Sequence, residues 1–243
     1  MNGRPVGRIV GVGRALGSRI VSNRDLERTL DTTDEWIATR TGIRERRFVG
    51  EDEDCATLAI EASKKALEHA GVNGGSVDLV LCATSTAPES MPSVACLVGE
   101  AIGAPGVGAF DLAAACAGFS YAASVADSIL ESGAASRVLL IGADAMSEIV
   151  DQKDRSTAVL FGDGAGAVIL DPSDGDAGFV DHILGADGRM APLGRAGHPG
   201  DGHMLYQNGR EVFKFAVRIL PEMVEKLLSR NAISLDEVQY IIP

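Results

Sequence analysis

Between residues 6 and 170 the chain alternates short apolar runs with longer stretches of helical period, and this alternation limits the fold more than any other feature. Runs at 6–12, 77–83, 106–111, 137–143 and 165–170 read as strands. Stretches at 55–70, 92–102 and 116–132 repeat apolar residues every three or four positions and read as helices. Strands separated by helices in this way predict an α/β layered fold with a largely buried sheet. At 243 residues and 46% hydrophobic content, the chain can bury one large core or two smaller ones.

The pattern then begins again. Lys65-Ala-Leu, Ala70-Gly-Val and Val77-Asp-Leu-Val-Leu line up without gaps, at one constant shift, against Lys226-Leu-Leu, Asn231-Ala-Ile and Val238-Gln-Tyr-Ile-Ile. The match predicts a duplicated half, with 1–172 as the first unit and 173–243 as the start of an incomplete second unit that includes a strand at 238–242. By the same logic the sequence is expected to be part of a longer polypeptide.

Charge and cysteine usage bound the partners. Lys+Arg 22 against Asp+Glu 34 gives a net charge of −12, which argues against unspecific binding to nucleic acid or an anionic membrane. An acidic partner would need a local basic patch. The start, Met1-Asn-Gly-Arg-Pro-Val-Gly-Arg8, lacks the apolar stretch of a secretory signal, and no long window is uniformly apolar, so a cytoplasmic location is expected. Cys55, Cys82, Cys96 and Cys116 show no C-x-x-C spacing, which argues against a zinc site, a redox motif and a disulfide framework. His69, His182, His198 and His203 lack metal-ligand spacing, and none makes a persuasive base for a cysteine; no metal is expected.

Cys116 stands apart from the other three. It lies in Asp111-Leu-Ala-Ala-Ala-Cys-Ala-Gly-Phe-Ser-Tyr121, a strand-like entry, a run of small residues and a helical pattern that continues to about residue 132. Unpaired backbone N–H groups and the dipole of a helix start favour a negative charge on sulfur, and small neighbours leave room for a substrate carbonyl. The alternative is a buried cysteine filling a small gap.

The segment Asp31-Thr-Thr-Asp-Glu-Trp-Ile-Ala-Thr-Arg-Thr-Gly42 reads as a short helix, with Thr32 or Thr33 as its N-cap and Gly42 as its stop. Trp36 and Arg40 are four apart and share a helix face, which suits a nucleotide base; an ordinary Trp packed on an Arg stem would look the same. Gly11-Val-Gly13 lacks the spacing of a dinucleotide loop, and Phe161-Gly-Asp-Gly-Ala-Gly166 leads into a strand instead of a helix, so both are expected to be architectural.

Five motifs together, Asp34-Glu-Trp-Ile-Ala-Thr-Arg-Thr-Gly-Ile-Arg-Glu-Arg46, Ala113-Ala-Ala-Cys-Ala-Gly-Phe119, Asp154-Arg155, Phe161-Gly-Asp-Gly-Ala-Gly166 and Asn208-Gly-Arg-Glu-Val-Phe-Lys214, resemble β-ketoacyl-acyl-carrier-protein synthase III. The resemblance runs the length of the chain and implies a thiolase fold of two pseudo-symmetric α/β halves in a layered αβαβα architecture, the second half being incomplete here. It implies a homodimer and an acyltransferase that opens type II fatty acid synthesis. A short-chain acyl group passes from coenzyme A to cysteine, and malonyl-acyl carrier protein then condenses with it. Coenzyme A is a substrate in this reaction, and no separate cofactor is implied.

Carried onto this sequence, the resemblance makes Cys116 the nucleophile, with its own N–H forming part of the oxyanion hole. Trp36 becomes the adenine-stacking residue, with Arg155 across the base and Arg40 and Thr32 nearby. Gly209, Arg210 and Phe213 match the pantetheine passage, and Lys214 the surface that receives acyl carrier protein. Met146 and Phe161 match the acyl pocket, Met91 reaches into the pocket of a neighbouring subunit, and Cys55, Cys82 and Cys96 are small buried hydrophobes.

The family also needs a histidine in a Pro-His-Gln-Ala-Asn motif and an asparagine for condensation, and the sequence ends at Pro243, where that motif would begin. The 243 residues alone are therefore expected to be inactive in condensation. Type III polyketide synthases and 3-hydroxy-3-methylglutaryl-CoA synthases share the cysteine, and a non-catalytic acyl-CoA-binding or dimerising product is the reading outside catalysis. Acetyl and branched short-chain primers both fit the sequence.

Overall fold

The computed structural model describes residues 6–173, 175, 177–197, 202 and 204–242. His198, His203 and Pro243 lie outside the described residues. In chain order the elements are β1 (Gly7–Leu16), β2 (Arg19–Ser22), α1 (Asn23–Glu27), α2 (Asp34–Thr41), β3 (Glu45–Phe48), α3 (Cys55–Ala70), β4 (Leu79–Ala83) and α4 (Val94–Ala101). There follow β5 (Gly108–Leu112), α5 (Gly118–Glu131), β6 (Val138–Ala145), α6 (Arg155–Ala158), β7 (Asp163–Pro172), β8 (Gly194–Arg195), β9 (Tyr206–Gln207) and α7 (Gly209–Asn231).

Five strands form one mixed sheet in the order β1-β7-β6-β4-β5, with β4 parallel to both β5 and β6, and β7 antiparallel to β6 and β1. Alternation along each strand divides the core in two. Val80, Cys82, Leu139 and Ile141 face α3 and α4, while Leu79, Leu81, Val138 and Leu140 face α5. Burial on both faces explains why β4 and β6 read as continuous apolar runs. The antiparallel β2–β3 pair, with α1 and α2 between its strands in the chain, stands beside this sheet around a third cluster that includes Leu26, Ile37, Val150 and Val159.

Close approach accounts for Gly11 and Gly13. Both sit within β1 against α3, where an added Cβ would overlap the carbonyl oxygens of Ala66 and Ala62 respectively. The Gly162-Asp-Gly-Ala-Gly166 segment is architectural as well. Asp163 is buried at the start of β7 and accepts hydrogen bonds from Ser147 N, Ser147 Oγ and Val49 N at 2.7, 2.5 and 2.7 Å, tying three elements together.

Three expectations need correction. No strand forms at 238–242, where the backbone is irregular and Tyr240 and Ile242 are exposed; apolar periodicity makes a strand only when a neighbour supplies hydrogen-bonding partners, and none of the sheets includes this segment. Cys96 is exposed, unlike Cys55 and Cys82, because α4 turns Val94, Ala95, Val98 and Gly99 toward the core and leaves position 96 outside. The helix after the small-residue run begins at Gly118, two residues past Cys116, and a 3-10 turn over Ala115–Ala117 fills the gap.

Candidate active site

The turn between β5 and α5 aims Cys116. Its backbone is unusual at Ala115, whose φ of 46° lies in the left-handed region at a cost of about 1–2 kcal/mol for a residue with a Cβ. The 3-10 turn that follows leaves Cys116 exposed at the approach to α5. Gly118 then lets α5 close on the sheet, since an added Cβ would stand 3.1 Å from the Cβ of Ala83, the last residue of β4. Phe119 packs over Gly142 of β6, 3.3 Å from the place a Cβ would occupy. The motif around the cysteine therefore docks the helix start on the carboxyl edge of the parallel strands, the edge where open α/β sheets bind ligands.

The positive end of α5 is uncompensated within the helix. Ala117 makes no side-chain cap, and no acidic residue lies in the first turn. The Gly118 N–H donates to the Ala115 carbonyl within the 3-10 turn, but no side chain meets the helix dipole, which therefore favours a developing negative charge nearby.

Around this edge lies a polar frame that periodicity alone did not reveal. Asp144, near the end of β6, accepts from Ser85 N at 2.8 Å, Thr86 Oγ1 at 3.1 Å and Thr84 Oγ1 at 3.4 Å. Thr86 Oγ1 in turn accepts from Ala145 N at 2.8 Å, so the loop after β4 is locked to the end of β6. Burial pushes the Asp144 carboxyl above the usual carboxylate range. Cys55 Sγ contacts Thr84 Oγ1 at 3.3 Å, and burial pushes its thiol up to about 11. Cys82, deeper in the sheet, is pushed up further by burial. Neither thiol is placed for surface chemistry.

Trp36, Arg40 and Arg155 come together. The Arg40 guanidinium carbon lies 4.5 Å and that of Arg155 5.0 Å from the Trp36 ring centroid. Arg155 Nη1 also donates to the Asp31 carbonyl at 2.8 Å, which anchors α6 to the start of the α2 turn. Thr33 is the cap of α2, accepting from Trp36 N at 3.0 Å, whereas Thr32 Oγ1 is buried and finds no partner among the described residues. A buried hydroxyl without a partner is costly unless a ligand supplies one. Met146 and Phe161 pack in the same cluster as Trp36.

Other candidates are less gathered. Met91 is 80% exposed ahead of α4. Gly209, Arg210 and Lys214 lie exposed at the start of α7, Phe213 is 68% exposed, and Lys214 Nζ bonds Glu211 Oε1 at 2.7 Å. His69 Nδ1 accepts from Val12 N and His182 Nε2 pairs with Asp127 Oδ2, so these two rings serve β1 and α5 respectively.

Comparison with known proteins follows the same lines. Residues 110–188, which contain Cys116, Arg155 and the glycine-rich start of β7, match the model of the family described as 3-oxoacyl-[acyl-carrier-protein (ACP)] synthase III. The chain is 75% identical over 241 residues to a β-ketoacyl-[acyl-carrier-protein] synthase III of Rubrobacter xylanophilus, covering 99% of this chain and 76% of that protein. The crystal structure of 3-oxoacyl-[acyl-carrier-protein] synthase III from Aquifex aeolicus VF5 superposes with a TM-score of 0.90 at 43% identity, over 96% of this chain and 74% of that one. The priming β-ketosynthase from the R1128 polyketide biosynthetic pathway gives a TM-score of 0.82 at 32% identity, over 97% of this chain and 81% of that one.

Proposed function

The chain belongs to the β-ketoacyl-[acyl-carrier-protein] synthase III family, with its thiolase fold, and from that premise we propose that Cys116 takes a short-chain acyl group from coenzyme A in preparation for condensation with malonyl-acyl carrier protein. The protein is thus an acyltransferase of fatty acid biosynthesis. The observation that carries the residue assignment is the exposed thiol at the uncapped, positive start of α5.

In this reading the Cys116 sulfur attacks the thioester carbonyl, the carbonyl oxygen gains negative charge, and the backbone N–H of Cys116 helps to hold it. Donors aimed at such a charge contribute about 2.7–4 kcal/mol each in other acyl-transfer sites. Collapse of the intermediate breaks the carbonyl bond to the sulfur of coenzyme A, which leaves and takes up a proton, and the acyl group remains on Cys116. The 3-oxoacyl product would follow when the carbanion from malonyl decarboxylation attacks that acyl group.

Trp36 would stack the adenine, with Arg155 and Arg40 as cationic partners that already lie against the ring. The unpartnered Thr32 hydroxyl would bond the nucleotide. Gly209, Arg210 and Phe213 would line the pantetheine passage, and Lys214 would face the acidic carrier protein. Met146 and Phe161 would form the acyl pocket, completed by Met91 across a homodimer. The duplicated-half reading, 1–172 and 173–243, belongs to the same proposal. So does a cytoplasmic setting; no helix among the described residues is long and apolar enough to cross a membrane.

A kinetic experiment tests the nucleotide clamp. Trp36→Ala or Arg155→Ala is expected to lower the second-order rate of acyl loading from acyl-CoA by about 1–3 kcal/mol, the scale of a lost base-stacking contact. The same variants should react normally with a small acyl thioester that lacks the nucleotide. Equal loss with both donors would assign these residues to packing instead.

A further inference from the structure

Arg46 carries the strongest unassigned arrangement in the molecule. It is the second residue of β3, paired with Val21 of β2, and it is only 6% exposed. Its Nη2 donates to Asn23 Oδ1 at 2.9 Å and to the Val159 carbonyl at 3.1 Å, and its Nη1 donates to the Val21 carbonyl at 3.3 Å. These acceptors offset the cost of taking a guanidinium out of water only in part, since burial still pushes the group below its ordinary range. An apolar side chain of similar size would fill the same place at less cost, so the elements that the guanidinium joins are what explain it.

Those elements are the two that carry Trp36 and Arg155. On one side Val159 ends α6, the short helix that Arg155 begins. On the other, Asn23 passes the connection on: its Nδ2 donates at 2.8 Å both to Asp34 Oδ1, on the first residue of α2, and to the Ile43 carbonyl, just past the Gly42 stop. Asn23 is buried, and it holds α2 at both ends. Its amide can face only one way, because the reverse would set an NH2 group against the guanidinium. A relay thus runs through the interior from Val159 by Arg46 and Asn23 to Asp34, and the Trp36 ring meets Arg155 at 5.0 Å across the two elements so joined. The chain after α6 also lies directly on β3, for a Cβ added at Gly162 would stand 3.2 Å from both the Arg46 Cβ and the Arg47 carbonyl oxygen.

We propose that Arg46, acting with Asn23, is a positioning residue that holds α2 and α6 at the spacing with which Trp36 and Arg155 grip the nucleotide of acyl-CoA. The inference rests on the reading of Trp36, Arg40 and Arg155 as a nucleotide clamp. Arg46 and Asn23 are both buried and need no contact with the nucleotide, so their effect reaches the reaction through the placement of the ring and of the Arg155 guanidinium.

The test measures loading of Cys116 from acetyl-CoA and from acetyl-pantetheine, which lacks the nucleotide, by intact mass over time and over donor concentration. The full chain is compared with Arg46→Lys, Trp36→Ala, the double variant and Ser22→Ala. Arg46→Lys keeps the charge, but its single terminal nitrogen cannot span Asn23, Val159 and Val21 together. It is expected to raise the half-saturating concentration of acetyl-CoA roughly tenfold, within the range of a lost base-stacking contact, while the limiting rate and loading from acetyl-pantetheine stay as they were. Combined with Trp36→Ala it should add less than about twofold, because residues that act through one contact are not additive. Ser22→Ala, which removes the cap of α1 without touching the relay, should leave the preference between the two donors unchanged. Asn23→Asp keeps an acceptor for Arg46, loses the donor to Asp34 and Ile43, and carries the same comparison should Arg46→Lys fail to fold. An equal loss with both donors, a fully multiplied effect in the double variant, or the same change of preference in Ser22→Ala would reduce Arg46 to a packing residue and overturn the proposal. If Trp36→Ala weakens use of acetyl-CoA and the Arg46 and Asn23 variants do not, the positioning role alone fails. If Trp36→Ala leaves it unchanged, the clamp reading fails and the inference falls with it.

Discussion

Cys116→Ala is expected to leave the chain folded and unable to take an acyl group from acetyl-CoA, a loss of about 10⁴-fold or more in loading rate of the kind seen when a nucleophile is deleted. Cys116 is exposed, so its removal should alter stability by no more than about 0.5 kcal/mol. That combination separates chemistry from folding. A nucleophile has no substitute within reach in this reading, because Cys55 and Cys82 are buried with their thiols pushed up, and Cys96 projects from α4. Intact mass after incubation with acetyl-CoA, together with a thermal melt, checks both halves. Persistent acylation of the variant at the parent rate would move the nucleophile elsewhere.

The second large effect concerns the fold. Gly13→Ala places a Cβ onto the Ala62 carbonyl oxygen and against the backbone of Lys65, where neither side can give without moving a strand or a helix. Overpacking of this kind costs about 1–3 kcal/mol and more when backbone must move. The midpoint of thermal unfolding should fall by roughly 2–4 °C for each kcal/mol in a chain of this size. Gly166→Ala in the paired strand β7 is the control, since its added Cβ meets nothing within 4 Å. Equal midpoints for the two variants would show that the contact between β1 and α3 is looser than described.

Much of the central sheet was legible because β4 and β6 are buried on both faces, and a strand in that position must be apolar throughout. The antiparallel β2–β3 pair was not. Its sequence, Arg19-Ile-Val-Ser22 with Glu45-Arg-Arg-Phe48, looks like surface, yet Arg46 is buried and donates to Asn23 Oδ1 at 2.9 Å, the Val159 carbonyl at 3.1 Å and the Val21 carbonyl at 3.3 Å. Partners that lie far apart in sequence meet its two terminal nitrogens, while Nε finds none among the described residues, and no local pattern announces them. The reverse error occurred at 238–242, where the apolar pattern is present and no partner strand lies among the described residues.

At the site, the Trp36–Arg40 face and the cap near residue 33 followed from spacing, while the helix after the cysteine begins two residues later than its pattern suggested. Arg155 reached Trp36 only through resemblance, since its partner lies more than a hundred residues away. Asp111 and Asp144 were missed as a frame. Each is an acidic residue toward the end of an otherwise apolar strand, a signal that marks something to be satisfied without saying by what.

Selective alkylation tests the central claim most directly. Cys96 is the internal comparison, for it too is exposed, but it lies in the first turn of α4, where the Asp111 carboxylate already meets the positive end, whereas Cys116 sits just ahead of α5, whose first turn holds no acidic residue. Brief treatment of the folded chain with iodoacetamide, followed by peptide mapping, should therefore modify Cys116 well before Cys96, with Cys55 and Cys82 last. Prior incubation with acetyl-CoA should protect Cys116 alone. Labelling of Cys96 as fast as Cys116, with no protection by acetyl-CoA, would contradict the assignment of Cys116 as the acyl-accepting nucleophile.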